Sequence, residues 1–272
     1  MSLLEETKYL LRRHRIFPKK SLGQHFMVEP LIFQLLAEYA SLTRDDTVLD
    51  IGAGIGFLTR FLAEKCRKVL AVELDSKIAK VLRENLKGVS NVEVLEGDIL
   101  KTPIPQFTKI VSIPPYNISS ALLNWLFNKK FACAVLVFQK EFANRLVAPI
   151  GSEDYGWLSV LAYYHFEIEL FEEVPKWMFY PPPQVDSVIL RFTPKSSPPF
   201  QVKNYPFFER LVQALFTQRN RKVRNAVQPF IRRRYSSAEE TVKAADSLPF
   251  RDRRVRELAP EDFGALANAL VS

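Results

Sequence analysis

Three carboxylates stand at the ends of three successive apolar runs. Asp50 ends Val48-Leu49, Glu73 ends Val69-Leu70-Ala71-Val72, and Asp98 closes the segment Val92 to Gly97. Directly after the first comes Gly52-Ala53-Gly54-Ile55-Gly56. Apolar run, tight turn and amphipathic stretch read as a buried parallel strand leading into a helix N-terminus. Glycines there let backbone approach a ligand where a side chain would collide. Acids at strand ends accept hydrogen bonds from ribose hydroxyls or an adenine amine. Two ligand classes compete for such a turn: a dinucleotide, with G-x-G-x-x-G, or S-adenosylmethionine, with G-x-G-x-G. The spacing here is the second, and Asp50 suits a ligand carrying a cationic amino group better than a pyrophosphate. A glycine turn alone is a weak signal; three acids in register after successive strands make it specific.

A second constellation follows the fourth apolar run: Ser112-Ile113-Pro114-Pro115-Tyr116-Asn117-Ile118-Ser119-Ser120. A Pro-Pro-Tyr turn at a sheet edge makes a rigid ledge with outward carbonyls and a ring able to stack on a flat base. That arrangement fits methyl transfer to an exocyclic base amine. Such a nitrogen is a weak nucleophile because its lone pair is delocalised into the ring. Acceptors gripping the amine hydrogens localise the pair and stabilise the positive charge that develops, while stacking fixes the ring. No strong base is needed, since the alkylated amine sheds its proton readily.

The elements that must position these groups alternate from Thr47 to Phe138. Strands are predicted to end near Ile51, Glu73, Glu96, Ser112 and Phe138, with helices over Phe57–Cys66, Lys77–Asn85 and Ser119–Phe127. This is an α/β fold with a doubly wound, mostly parallel, Rossmann-like sheet. Leu31–Ala40 and Gln139–Ala148 read as further helices, Tyr164–Leu170 and Ser187–Phe192 as further strands. Phe179-Tyr180-Pro181-Pro182-Pro183 reads as a stiff loop presenting its two aromatics. Residues 1–29 form a basic arm, 30–195 the cofactor domain, and Ser196-Ser197-Pro198-Pro199 opens a helical domain, 196–272. Its helices are expected over Phe207–Thr217, Lys222–Arg234, the stretch after the Ser237 capping box, and Pro260–Leu270.

Composition bounds the partners. The 272 residues are 47% hydrophobic, enough for a large core, and 38 Lys+Arg against 30 Asp+Glu give a net charge of +8. That balance favours a polyanionic partner. The basic residues gather at Arg219, Arg221, Lys222 and Arg224, at Arg232-Arg233-Arg234, and at Arg251, Arg253 and Arg254. The two cysteines and three histidines show no metal-ligand spacing and no disulfide framework. The longest apolar run, Phe131–Phe138, is far too short to span a bilayer, and the mixed-charge start is not a signal peptide. A cytoplasmic, metal-free protein is expected.

Together the motifs resemble the ribosomal RNA adenine N6,N6-dimethyltransferases of the small subunit, most of all their archaeal branch. The resemblance covers nearly the whole chain. It rests on Leu22-Gly23-Gln24-His25-Phe26, the glycine cluster, Glu73-Leu74-Asp75, Gly97-Asp98, Pro115-Tyr116-Asn117-Ile118-Ser119, Tyr155-Gly156-Trp157-Leu158-Ser159, Phe179 to Pro183, and Phe216 to Lys222. It implies that Gln24, His25 and Met27 line the methionine side of S-adenosylmethionine, with Gly52 and Gly54 beneath. Glu73 and Leu74 would serve the ribose, Asp98 with Ile99 the adenine, and Ser112 and Ile113 would border the cofactor. Ile113, Pro114, Pro115 and Tyr116 would form the catalytic ledge, with Tyr116 and Phe179 sandwiching the target adenine. Arg219, Arg221, Lys222 and Arg224 would contact RNA. The implied substrate is a pair of adjacent adenosines in a hairpin loop near the 3′ end of small-subunit RNA, met by a monomer on the assembling subunit.

One position departs from the family pattern. Where the family places an asparagine that grips the target amine, this chain has Ile113. Losing one such contact costs about 10²- to 10³-fold in rate elsewhere. Ser112 could replace it only if the turn were shifted. An RNA-binding assembly factor with weak or no activity therefore stands as an alternative. A large-subunit methyltransferase of the antibiotic-resistance type is disfavoured by the Tyr155-Gly156 and Phe216–Lys222 segments, and an NAD-dependent dehydrogenase by the glycine spacing.

Overall fold

The computed structural model describes residues 1–271. They fall into two compact units: Met1–Ala143 with Ile168–Pro194, and Asn144–Glu167 with the chain from Lys195 onward.

The first unit is built on a sheet. Its strands are β2 (Thr47–Ile51), β3 (Lys68–Glu73), β4 (Val92–Glu96), β5 (Lys109–Ser112), β6 (Cys133–Gln139), β7 (Phe166–Val174) and β9 (Ser187–Pro194), in the order β4-β3-β2-β5-β6-β9-β7. Strands β4 to β6 run parallel, and β9 pairs antiparallel with β6. All five residues of β2 are buried, Asp50 included. Helices α2 (Pro30–Tyr39), α3 (Phe57–Ala63), α4 (Ser76–Asn85) and α5 (Ser119–Phe127) connect and cover the strands. From β2 the chain winds outward through β3 to β4, then returns to β5 on the other side of β2. The adjacent carboxyl ends of β2 and β5 are thus the point where the winding reverses, the place such sheets bind ligands.

The expected basic arm is largely ordered structure. Helix α1 (Leu3–Arg13) opens with a Ser2/Glu5 capping box and buries Thr7, Leu10 and Leu11. Leu10 and Leu11 join Ile16, Phe26, Ile55, Ile78 and Val81 in one apolar cluster. The signal was in the sequence: a Ser-x-x-Glu cap before a helical apolar spacing. Further on, β1 (Phe26–Met27) pairs antiparallel with β8 (Phe179–Tyr180), so the proline loop is tied to the N-terminal segment.

The second unit departs from the expected boundary. It takes in the end of α6 (Lys140–Leu146) and all of α7 (Trp157–His165), 30 residues or more ahead of the Ser196 boundary. Long-range bonds explain this. The Tyr155 hydroxyl donates to the Leu258 carbonyl at 2.9 Å, Arg219 donates to the carbonyls of Ser152 and Glu153, and His165 meets the Tyr205 hydroxyl at 2.6 Å. The predicted strand over Tyr164–Leu170 begins only at Phe166; Tyr164 and His165 close α7. The remaining helices are α8 (Tyr205–Phe216), α9 (Val223–Ala226), α10 (Gln228–Ile231), α11 (Ala238–Asp246) and α12 (Pro260–Val271). The single helix expected over Lys222–Arg234 is broken because Pro229 cannot continue an α-helical ladder. No described helix is long and apolar enough to cross a membrane.

At the foot of β2, Asp46 accepts from the Thr43 amide at 2.8 Å, Thr108 at 2.8 Å and the Lys109 ammonium at 2.9 Å, with both charged side chains mostly buried. Asp46→Ala strands the Lys109 charge, so it is expected to lower the unfolding free energy by about 3–5 kcal/mol in denaturant titration.

Candidate active site

A cleft of about 810 Å³, open to solvent, lies at the carboxyl ends of β2, β3 and β5. It brings together Gln24, His25, Gly52, Gly54, Glu73, Leu74, Asp98, Ile99, Ile113, Pro114, Pro115 and Tyr116. These come from segments scattered over some ninety residues, and several are placed by specific hydrogen bonds.

The glycine turn is shaped by its neighbours. The amides of Gly52 and Ala53 both donate to the Val72 carbonyl, at 2.8 and 3.0 Å, which bends the chain over the end of β3. Gly52 has φ +71°, and a β-carbon there would meet Pro115 Cδ at 2.6 Å. Only glycine permits that approach. Glu73 then holds the turn: its carboxylate accepts from the Gly54 amide and the Asp75 amide, each at 2.9 Å. Burial raises the Glu73 pKa above its ordinary value, and those two amide bonds oppose the rise. Each carboxylate oxygen accepts one of these bonds and keeps a further lone pair. Asp98 accepts from the Leu100 amide at 3.0 Å and faces Lys101 at 3.5 Å.

The N-terminal side is fixed through Asp75, a residue the motif reading quoted but gave no role. Lys19 Nζ (2.7 Å) and Gln24 Nε2 (3.3 Å) both donate to its Oδ2, and it caps α4 through the Lys77 amide. His25 Nδ1 lies 2.7 Å from the Pro181 carbonyl. A carbonyl only accepts, so Nδ1 carries the hydrogen in that bond.

Beneath the turn, Asp50 is buried and accepts from Thr59 Oγ1 at 2.7 Å. Burial pushes its pKa up to about 7, against the pull of the hydrogen bond from Thr59.

Three expected site residues stand elsewhere. Ser112 is fully buried: its hydroxyl donates to the Ile51 carbonyl at 2.6 Å and accepts from the Ile51 amide at 2.9 Å. It therefore clamps β5 to β2 and has no hydroxyl to offer a cofactor or an amine, which corrects the role sketched for it. Met27 is packed in the core with Phe33 and Phe179 and lines a smaller cavity beside the glycine turn, which shares His25, Phe26, Gly52, Gly54 and Ile113 with the cleft. Phe179 is 3% exposed and meets Tyr116 edge-on, ring centroids 6.2 Å apart at 74°. Two rings in contact at that angle leave no slot for a base, so the expected sandwich is not formed; a purine slot needs parallel faces about 7 Å apart, twice the stacking contact distance. The reason is the pairing of β8 with β1, which draws Phe179 inward.

The ledge itself keeps its acceptors. Among the described residues, the carbonyl oxygens of Ile113 and Pro114 receive no hydrogen bond, whereas that of Pro115 accepts from Ile118. The Tyr116 hydroxyl meets Ser187 Oγ at 2.7 Å, and burial lifts its pKa far above the usual phenol value. Tyr116 thus offers a ring face, not a base. Ile113 turns its side chain into the apolar core cluster and supplies no acceptor beyond its backbone. No cluster of metal-ligating side chains exists among the described residues.

Of the four cations expected to meet RNA, Arg219 is committed to Ser152 and Glu153, while Lys222 and Arg224 face Asp252 at 3.5 and 3.2 Å. Arg221 alone of the four has an exposed side chain with no ion pair among the described residues.

Two outcomes follow from this geometry. Gly52→Ala drives a β-carbon into the Pro115 ring, so S-adenosylmethionine affinity by calorimetry is expected to fall at least about tenfold, or roughly 1.4 kcal/mol. Asp50 holds its proton to higher pH folded than unfolded, so it withdraws stability as pH rises from about 4 to about 7. Asp50→Asn keeps an acceptor for Thr59 and removes the titration. Its melting temperature is expected to lose that downward slope and to exceed the unaltered protein's at pH 8.

The fold and the cleft agree with what the chain is similar to. A family model described as ribosomal RNA adenine dimethylase matches residues 17–255. The probable ribosomal RNA small subunit methyltransferase A of Methanosarcina acetivorans is 39% identical over 249 residues, covering 91% of each chain. That of Methanopyrus kandleri is 36% identical over 275 residues, covering 100% of this chain and 99% of its own. Among solved structures, a dimethyladenosine transferase from Plasmodium falciparum matches with a TM-score of 0.76 and 28% identity over 89% of this chain and 96% of its own. The 23S rRNA methyltransferase ErmE matches with a TM-score of 0.64 and 31% identity over 91% of this chain and 100% of its own. The protein described here belongs to the ribosomal RNA adenine dimethylase family.

Proposed function

We propose that this protein is an S-adenosylmethionine-dependent dimethyltransferase acting on the N6 amines of two adjacent adenosines in a hairpin loop near the 3′ end of small-subunit ribosomal RNA. The observation that carries this is the pair of unbonded carbonyls, Ile113 and Pro114, beside the Tyr116 ring in a cleft whose other side is lined with acids.

The residues present fit the cofactor. A turn too tight for any β-carbon at Gly52 leaves bare backbone facing the cleft, and Glu73 and Asp98, which line it, retain lone pairs. Glu73 would take ribose hydroxyls, Asp98 and Ile99 the adenine, and Gln24 and His25 the methionine end. When bound, the sulfonium supplies an electrophilic methyl group.

What this chain contributes is the acceptor. The adenine ring lies on Tyr116, held rigid by its bond to Ser187, and the amine hydrogens point at the two carbonyls. As the nitrogen alkylates, those oxygens stabilise the growing positive charge without moving. The lost proton passes to water, since burial holds Tyr116 neutral. With Ile113 lacking a side-chain acceptor and Ser112 already bonded on both sides to Ile51, the backbone does this alone. A target in a loop suits the site, because its bases are splayed out before their amines are reached. The reading places the enzyme in the cytoplasm, acting as a single copy on the assembling small subunit.

A second reading, an RNA-binding assembly factor that methylates slowly or not at all, draws its support from Ile113. Mass spectrometry of RNA from unmethylated small subunits incubated with S-adenosylmethionine separates the two. The expected result is dimethyladenosine with the unaltered protein, and a faster reaction with Ile113→Asn, by up to about 10²- to 10³-fold. Product from Ile113→Asn alone would favour the assembly factor; product from neither would remove the substrate assignment.

A further inference from the structure

Phe17 is 83% exposed, more than any other aromatic side chain that the structure places in solvent. We propose that it is a stacking platform for an unpaired nucleotide next to the target adenosine, with Arg12, Arg13 and Arg15 holding the adjoining phosphates. The proposal rests on the RNA-methylating reading and adds to it a contact surface outside the cleft.

The ring is exposed by design of the backbone, not by looseness. After α1, Arg15 adopts φ +51°, a left-handed conformation that an arginine takes only where its surroundings impose it. That twist lets the Ile16 amide reach the Leu11 carbonyl at 2.8 Å and buries the Ile16 side chain against Leu10, Phe26 and Ile78. The next side chain is thereby turned outward. On its other side, Pro18 stiffens the chain, and Lys19 is pinned twice, its amide to Gln24 Oε1 at 2.8 Å and its ammonium to Asp75 at 2.7 Å. Phe17 therefore stands in water between two fixed points, and Leu22 and Gly23 shortly beyond it already line the cleft.

Its charged neighbours in the chain, Arg12, Arg13, Arg15 and Lys19, are all cations. Arg12, Arg13 and Arg15 are exposed, and none forms an ion pair among the described residues. Most other clustered cations are spent on the protein itself: Arg219 on loop carbonyls, Lys222 and Arg224 on Asp252, Arg253 on Asp262. A single exposed ring flanked in sequence by unpaired guanidiniums is too small for a protein interface and matches one base with its phosphates. Aromatic stacking gives affinity with little sequence preference, while each phosphate contact adds a fixed increment of salt dependence.

The test measures binding of a fluorescein-labelled RNA hairpin, with two adjacent adenosines in its loop, by anisotropy at several salt concentrations. Phe17→Ala is expected to weaken binding about 5- to 150-fold at fixed salt, with the salt slope unchanged. Phe17→Trp keeps the affinity, and Phe17→Leu does not restore it. Arg13→Gln and Arg15→Gln each lower the salt slope by about 0.7–0.9. S-adenosylmethionine affinity stays the same in every variant, which shows the fold is intact. Unchanged RNA affinity in Phe17→Ala, or full affinity in Phe17→Leu, overturns the proposal while the unaltered protein still binds and methylates. An unaltered protein that neither binds the hairpin nor methylates small subunits overturns the functional reading with it.

Discussion

The site depends on one close approach, the Gly52 backbone against the Pro115 ring, closer than any β-carbon allows. It sets the distance between the two halves of the cleft, the cofactor turn after β2 and the ledge after β5. Everything nearby serves to hold that distance. Ser112 locks the strand ends by bonding both polar groups of Ile51, and Asp50 ties the end of β2 to α3 through Thr59. Glu73, from the neighbouring strand, holds the turn by the Gly54 amide. The winding of the sheet puts β2 and β5 side by side, so the fold supplies the gap and these few bonds fix its width.

The electrostatics divide the molecule. Its net charge is +8, yet the cleft offers mainly acceptors: carboxylates bonded to backbone amides, and carbonyls without partners. A positively charged donor and an amine gaining positive charge both suit such a lining, whereas a phosphate does not. Phosphates are left to the cations outside. The proposed mechanism asks only for backbone at Ile113. Its side chain packs in the core, and its carbonyl, which any residue would carry, remains at the ledge.

Legibility in the sequence followed the range of the interactions. The glycine turn, the acids at strand ends and the Pro-Pro-Tyr ledge are local patterns, and the structure gathers them around one cleft, except for Asp50, which is buried beneath the turn on Thr59. Helix α1 was also readable, from Ser2, Glu5 and the spacing of Leu3, Thr7, Leu10 and Leu11, but its arginines drew attention to charge instead. Ser112 was misread because its partner, Ile51, lies 61 positions away and leaves no periodic trace. Phe179 was placed against a base because exposure cannot be inferred from a proline loop whose strand partner, β1, is two residues long. The Arg219 side chain was assigned to RNA for the same reason: its acceptors are carbonyls 66 and 67 positions distant.

The central claim is that two backbone carbonyls hold the target amine. A crystal structure with S-adenosylhomocysteine and the adenosine hairpin measures it directly. The account predicts the adenine N6 within about 3.2 Å of both the Ile113 and Pro114 oxygens, with the ring on Tyr116. An N6 bonded to neither oxygen, or held by a side chain such as Asn117, would contradict it.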